Sequence, residues 1–231
     1  SLADATVFVS AAAAERHAAA RAVRARRMRV IPNGVDTALF RPDAGRRTRA
    51  REALGLGGTF TWLAAGRLMW KKNYPLLLRA MESRRAEVLL IAGSGPDEAA
   101  LRVLAPPNVC FLGARADLPD LMNAADAFVL SSSVEGLPMV LLEAAASGLA
   151  CVATAVGGVP EAVLAERTGF LVPAGNLETL RSAMARMADQ PGAERAAMGR
   201  EARALALARF DLRTVVEQWE QLYRALLAGE A

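Results

Sequence analysis

Glu135 and Glu143 are the residues best placed to do chemistry, set in the run SSSVEGLPMVLLEAAASG at residues 131–148. The first sits beside Gly136 in an expected loop. Pro138 is expected to open an apolar helix, with Glu143 on its second turn. Proline at the first helical position sacrifices only an N–H that would have no intrahelical partner. The N–H groups of Met139 and Val140 then point out of the helix end, where the macrodipole favours an anion. Carboxylates on either side of such an end accept hydrogen bonds from sugar hydroxyls while the amides hold a phosphate. A nucleotide-sugar, a diphosphate flanked by two polyols, fits that pattern. A plainer reading makes Glu143 a solvent-facing or dipole-compensating residue. Against it, the stretch from Leu137 to Val156 is interrupted by only three polar side chains, Glu143, Ser147 and Thr154. A charge in so apolar a setting needs a partner.

A second chemical segment is Gly66-Arg67-Leu68-Met69-Trp70-Lys71-Lys72-Asn73, between an expected strand and an expected helix. Gly66 allows close backbone approach. Arg67, through its fork, and Lys72, as a point charge, suit diphosphate oxygens; Lys71 reads as a surface residue. Gly93-Ser94-Gly95-Pro96 is another strand-to-helix loop, but Glu98 occupies the third glycine position of a dinucleotide fingerprint. Gly157-Gly158-Val159-Pro160-Glu161 forms a third glycine turn leading to a short helix. The sequence assembles neither a Ser-His-Asp set nor a metal cluster, and His17 reads as a surface residue of an Ala-rich helix.

Short apolar runs place these segments. Strands are expected at 6–9, 29–31, 61–65, 88–92, 109–112, 127–130, 150–153 and 170–172, with helices at 74–84, 97–104, 117–124 and 138–147 between them. Uniformly apolar strands joined by helices indicate an α/β fold, a doubly wound, Rossmann-like parallel sheet covered on both faces. Ligands bind beyond the carboxyl ends of such strands, so the loops at 66–72, 93–96, 131–137 and 154–158 should share one edge. Residues 43–51 read as a polar, basic loop running into a short helix. Helices are expected near 176–189, 192–209 and 212–228, the last carrying Val215, Val216, Trp219, Leu222, Tyr223 and Leu226 at helical spacing.

Composition agrees with a globular chain: 231 residues, 53% apolar, 23% charged, net charge +4. Lysine occurs only at 71 and 72. The basic cluster of Arg21, Arg24, Arg26, Arg27 and Arg29 lacks interleaved aromatics, so it reads as a solvated helix face rather than a nucleic-acid site. Ser1-Leu2-Ala3-Asp4 has neither the basic region nor the apolar run of a secretory signal. Cys110 and Cys151 sit in apolar strand-like runs and read as buried free thiols in a reducing compartment. The expectation is a soluble, cytoplasmic protein, with peripheral membrane contact left open.

Eight segments, in order, resemble the retaining glycosyltransferases of the GT-B fold, specifically family 4 (glycosyl transferases group 1). They are VIPNGVD at 30–36, GRLMWKK at 66–72, IAGSGP at 91–96, VCFLG at 109–113, LMNAADAFVL at 121–130, EGLPMVLLE at 135–143, SGLACVAT at 147–154 and GGVPE at 157–161. The resemblance implies that Arg67 and Lys72 neutralise the donor diphosphate, that Glu143 partners the nucleotide ribose and that Glu135 contacts the donor sugar. Gly66 belongs to the same donor site. So do Gly136, Leu137, Pro138, Met139 and Val140, whose available amides would meet phosphates and sugar. It also implies transfer with retention, the leaving phosphate taking the acceptor proton, with neither cofactor nor metal. The donor would be a UDP-, GDP- or ADP-sugar and the acceptor a glycan, a lipid-linked group or a small molecule.

The chain also departs from the family. Trp70 sits where the family often has an acidic or small residue. Residues 1–36 are expected to be the tail of an absent N-terminal Rossmann-like domain, 37–209 the donor-binding domain and 210–231 a helix crossing back toward the absent half. The expectation is a C-terminal fragment or truncated enzyme, able to hold donor but poor at transfer, because orientation of both reactants supplies much of the rate. A nucleotide-sugar 2-epimerase and a non-catalytic nucleotide-sugar binding module share this architecture.

Overall fold

Residues 4–20 and 28–229 are described by the structure, a computed structural model. Arg21, Arg24, Arg26 and Arg27 of the basic cluster lie outside the described residues. A first unit comprises β1 (Thr6–Phe8), α1 (Ala11–Ala19) and β2 (Met28–Val30), followed by α2 (Ala44–Ala53). The main run is β3 (Thr61–Ala65), α3 (Tyr74–Met81), β4 (Val88–Ala92), α4 (Glu98–Leu104), β5 (Val109–Gly113), α5 (Leu118–Ala124), β6 (Ala127–Leu130), α6 (Met139–Ala146), β7 (Cys151–Thr154), α7 (Val159–Ala162) and β8 (Gly169–Val172). After it come α8 (Leu177–Asp189), α9 (Gly192–Arg209) and α10 (Leu212–Ala228).

β1 and β2 pair in parallel, and β3 to β8 form one parallel sheet in the order β5-β4-β3-β6-β7-β8. Alternation along β3 shows why its sequence is apolar from Trp62 to Ala65. Trp62 and Ala64 pack with Leu77 of α3 and Met184 of α8, whereas Leu63 and Ala65 pack with Met122 of α5 and Leu142 of α6. Each such large side chain taken from water contributes about 1.5–3 kcal/mol. The chain steps outward from β3 to β4 and β5, then returns to lay β6 on the other side of β3. Loops leaving the carboxyl ends of β3 and β6 therefore diverge, and a crevice opens between them.

Three expectations need correction. Cys110 is exposed, not buried, because β5 is an edge strand paired only with β4; Cys151, inside the sheet, is buried and its thiol is pushed up to about 12 by desolvation. The basic segment 43–51 is mostly helix. Asp43 caps α2 by accepting from the Arg46 amide at 2.9 Å, and Arg47 and Arg51 both pair with Asp126. On α10 the buried stripe is narrower than expected. Val215 and Leu222 are buried against Ile31, with Trp219 and Leu226 half-buried beside them, while Val216 and Tyr223 are exposed. Among the described residues no helix is long and apolar enough to cross a membrane.

Loops above the sheet edge meet backbone to backbone. Gly93, at φ +144°, lies so close to the preceding strand's loop that a Cβ would sit 2.0 Å from the Gly66 carbonyl oxygen. At Gly157, φ +53°, a Cβ would sit 1.9 Å from the Glu135 carbonyl oxygen. Only glycine satisfies both the left-handed backbone and the contact. Gly175 has the same backbone demand (φ +75°) with nothing within 4 Å. Gly157→Ala should therefore cost about 1–3 kcal/mol more than Gly175→Ala. Urea unfolding of both variants checks this; equal losses would mean the Glu135 loop is not tightly packed there.

Candidate functional site

Lys72 and Glu135 meet across the crevice. Lys72 ends a 3-10 turn (Trp70–Lys72), and Asn73 follows in the left-handed conformation (φ 48°, ψ 43°) before α3 begins. Asparagine is among the few residues that accept this backbone readily. The side chain of Ser131 donates to the carbonyls of Lys72 and Asn73 at 2.9 and 3.1 Å, and the Ser133 amide donates to the Lys71 carbonyl at 2.8 Å. The β3 and β6 loops are thus stitched together. Lys72 Nζ and Ser132 Oγ both donate to Glu135 Oε1, each at 2.6 Å. The two charged side chains are only 18% and 11% exposed, so each needs the other. Thr154 Oγ1 holds the Ser132 carbonyl at 2.6 Å. Behind Lys72, burial and secondarily the Glu135 charge push the Tyr74 phenol well above its ordinary value, keeping it neutral.

α6 begins at Met139, with Pro138 as its N-cap (φ −72°, ψ 121°), one residue later than expected. The amides of Met139 and Val140 meet no acceptor among the described residues, and the first helical bond runs from the Leu141 amide to the Pro138 carbonyl at 3.1 Å. Glu143 is mostly buried, its Oε2 has no hydrogen-bond partner, and desolvation raises its pKa. Helical side chains lean toward the N-terminus, which tips Glu143 toward the turn that carries the free amides. One short helix therefore offers unmet donors at its end and an unmet acceptor one turn in.

The remaining expected residues divide by burial. Gly66 backs Lys72, since a Cβ there would lie 3.2 Å from Lys72 Cε. Leu137 is buried, and its carbonyl accepts from Asn33 Nδ2 at 2.8 Å. The Gly136 carbonyl accepts from the Gly158 amide at 2.6 Å. Met139 is exposed and Val140 half-buried. Arg67 is exposed, and among the described residues no hydrogen bond or ion pair ties it to Lys72 or Glu135. His17 is exposed on α1, its Nδ1 2.8 Å from the Ala13 carbonyl oxygen.

Sequence reasoning passed over Ser131, Ser132, Thr154 and Asn33, which fix the loops. Their signal was polar type at the end of an apolar strand: Ser131, Ser132 and Thr154 are all buried and require partners. It also left Glu161 without a role. Its carboxylate accepts from the amides of Ala11 and Ala12 at 3.2 Å each and so caps α1. Larger concavities lie elsewhere, one of about 390 Å³ between α2 and α5 and one of about 410 Å³ beside Asp36 and Asp211. Convergent polar groups, rather than enclosed volume, single out the crevice.

Residues 59–190 match the family model described as Glycosyl transferases group 1. A GDP-mannose-dependent alpha-(1-6)-phosphatidylinositol monomannoside mannosyltransferase of Mycobacterium tuberculosis is 34% identical over 202 residues, 80% of this chain and 52% of that protein. Anabaena HepE, solved in complex with UDP, superposes with a TM-score of 0.88 at 26% identity, covering 96% of this chain and 64% of that one. The C-terminal domain of a glycosyl transferase group 1 family protein (LpcC) from Francisella tularensis shares the fold. It has a TM-score of 0.69 at 21% identity over 78% of this chain and 100% of that one. The chain spans about half the length of the curated relatives it matches. On the matched family model, the relatives and the parallel sheet, the chain belongs to the glycosyl transferases group 1 family and has the Rossmann-like architecture of its GT-B structures.

Proposed function

We propose that this chain supplies the donor-binding half of an enzyme that transfers a sugar from a nucleotide-diphosphate sugar to an acceptor with retention of configuration. What carries the reading is α6, with free amides at Met139 and Val140 and the unpartnered Glu143 carboxylate one turn in. A ligand that is anionic at one point and a hydroxyl donor about 6 Å away complements both. A nucleoside diphosphate has that shape. The GDP-mannose dependence of the mycobacterial relative and the UDP complex of HepE support it. In this reading residues 37–209 bind donor, residues 1–36 belong to a preceding domain, and 210–231 pack back across.

Departure of a nucleoside diphosphate builds negative charge. Arg67, Lys72 and the amides between Gly136 and Val140 offset it without a metal ion, and fixed groups do so with little reorganisation. Glu135 accepts from a donor-sugar hydroxyl and Glu143 from the ribose. The acceptor oxygen attacks the anomeric carbon on the face the diphosphate leaves. The C–O bond to phosphate breaks as the new glycosidic bond forms, and the departing phosphate oxygen takes the acceptor proton. UDP, GDP and ADP are the nucleotides to compare.

Lys72→Ala should weaken binding of the cognate nucleoside diphosphate about 10- to 100-fold, and the wild-type affinity should fall as salt rises. Calorimetric titration of both proteins with UDP, GDP and ADP measures this, and equal affinities would refute a diphosphate role for Lys72.

Glu143 separates binding from stability. Its pKa is raised in the fold, so the folded chain keeps a proton that the unfolded chain releases. Its contribution to stability is thus complete below the ordinary carboxylate value and declines as pH rises through the raised one. Ribose hydroxyls donate to the ionised form, so nucleotide affinity should rise with pH over the same window. Glu143→Gln should flatten both profiles, weaken nucleosides more than inorganic pyrophosphate, and leave the unligated chain at least as stable at neutral pH. Thermal unfolding and titration at several pH values test this; a Gln variant with unchanged nucleotide affinity and pH profile would remove Glu143 from the ribose site.

A further inference from the structure

Glu161 joins the first unit to the loops of the crevice. α1 has no acidic residue in its first turn, so its leading amides and positive dipole end need acceptors from outside the helix. Ser10 supplies two of them, its side chain accepting from the Ala13 amide at 3.2 Å and its carbonyl from the Ala14 amide at 3.1 Å. The other two come from a carboxylate 150 positions beyond Ala11: Glu161 Oε2 accepts from the Ala11 amide and Oε1 from the Ala12 amide. All four leading amides of α1 are thereby met, whereas those of Met139 and Val140 on α6 are not.

The same contact bears on the loop that carries Glu135. Glu161 stands on α7, whose N-cap is Gly158. The Gly158 amide donates to the Gly136 carbonyl at 2.6 Å, and a Cβ at Gly158 would sit 2.7 Å from Ser10 Cβ, so the start of α1 packs directly on this turn. A Cβ at Gly136 would meet Val9 Cγ2 at 3.4 Å, and Asn33, beyond β2, holds the Leu137 carbonyl. Val9, Ser10 and Asn33 therefore brace Gly136 and Leu137, the backbone that links Glu135 to the free amides of α6. Resting on the donor-site reading above, we propose that Glu161 is a positioning residue for donor binding. Its carboxylate docks α1, the docked unit braces Gly136 and Leu137, and the brace keeps Glu135 and the α6 amides where the nucleotide-sugar meets them. Glu161 itself touches neither reactant. Coupling of this kind is reciprocal: if docking of α1 tightens nucleotide binding, nucleotide tightens docking of α1 by the same factor. A cap that serves α1 alone would be indifferent to nucleotide.

The probes are UDP, GDP and ADP, with calorimetric affinity and amide hydrogen exchange measured on the wild-type chain, Glu161→Ala and Glu161→Gln. Exchange at Ala11 and Ala12 reports local opening of the start of α1. α2, which buries no residue and is capped within its own segment by Asp43, is the control. The nucleotide that binds should slow exchange at Ala11 and Ala12 about fivefold or more beyond any change in α2. Glu161→Ala should abolish that difference and weaken nucleotide binding about fivefold or more, and Glu161→Gln, which keeps one acceptor oxygen, should lose less of both. If Glu161→Ala does not fold, Glu161→Gln and the wild-type exchange decide the matter. Unchanged nucleotide affinity in the variants, or exchange at Ala11 and Ala12 that ignores nucleotide, would make Glu161 a helix cap and overturn the proposal while the donor site survives. If no nucleotide binds the wild-type chain, the donor reading itself fails and the positioning role falls with it.

Discussion

The reversal of strand order between β3 and β6 is the constraint to which the site answers. Chains leaving these two central strands turn toward opposite edges of the sheet, so their loops part unless something joins them. Here they are joined at three depths: Ser131 reaches back to Lys72 and Asn73, the Ser133 amide reaches Lys71, and Lys72 meets Glu135. Each bond crosses about sixty positions of sequence. The glycine contacts at Gly93 and Gly157 add close approach from the neighbouring loops. Charges held by such a frame keep their positions when a ligand arrives, which is the condition for electrostatic stabilisation at little reorganisation cost.

Within this frame polar satisfaction is uneven. Glu135 has two donors on one oxygen, Glu161 caps two amides of α1, and Asn33 meets the Leu137 carbonyl. Glu143 has none on Oε2 in a mostly buried position. An unmet buried polar atom costs about 1–3 kcal/mol, and a chain selected for stability alone would place an apolar residue there. Sites that sacrifice stability in this way are commonly functional.

Legibility in the sequence followed the physics of burial. β3, β4 and β6 are covered on both faces and, Thr61 apart, were written as unbroken apolar runs, so their limits could be read directly. β5 carries the same letters at an edge, and nothing local to Cys110 distinguishes the two settings. α2 was obscured for the opposite reason. It has no buried residue of its own and is held by a cap and by ion pairs to Asp126, a partner far along the chain. Lys72, Glu135 and Glu143 were visible as charges in apolar or glycine-rich surroundings. The serines that hold them were not, because their role depends on which loop lies opposite.

The pairing of Lys72 with Glu135 has a consequence for charge. Together the two contribute no net charge, so a diphosphate approaching Lys72 meets a cation whose field is already offset. Lys72 still has further N–H donors to give, and Ser132 keeps Glu135 Oε1 fixed. On the proposed reading Glu135 need not move away when a phosphate arrives, and its other oxygen is the one to accept from a sugar hydroxyl. On the proposed reading, the uncompensated positive charge must then come from elsewhere. Arg67, exposed and without an ion pair among the described residues, is the group able to supply it. On that reading the division is physical: Lys72, tied to Glu135, fixes position, and Arg67, without an ion pair among the described residues, supplies the field.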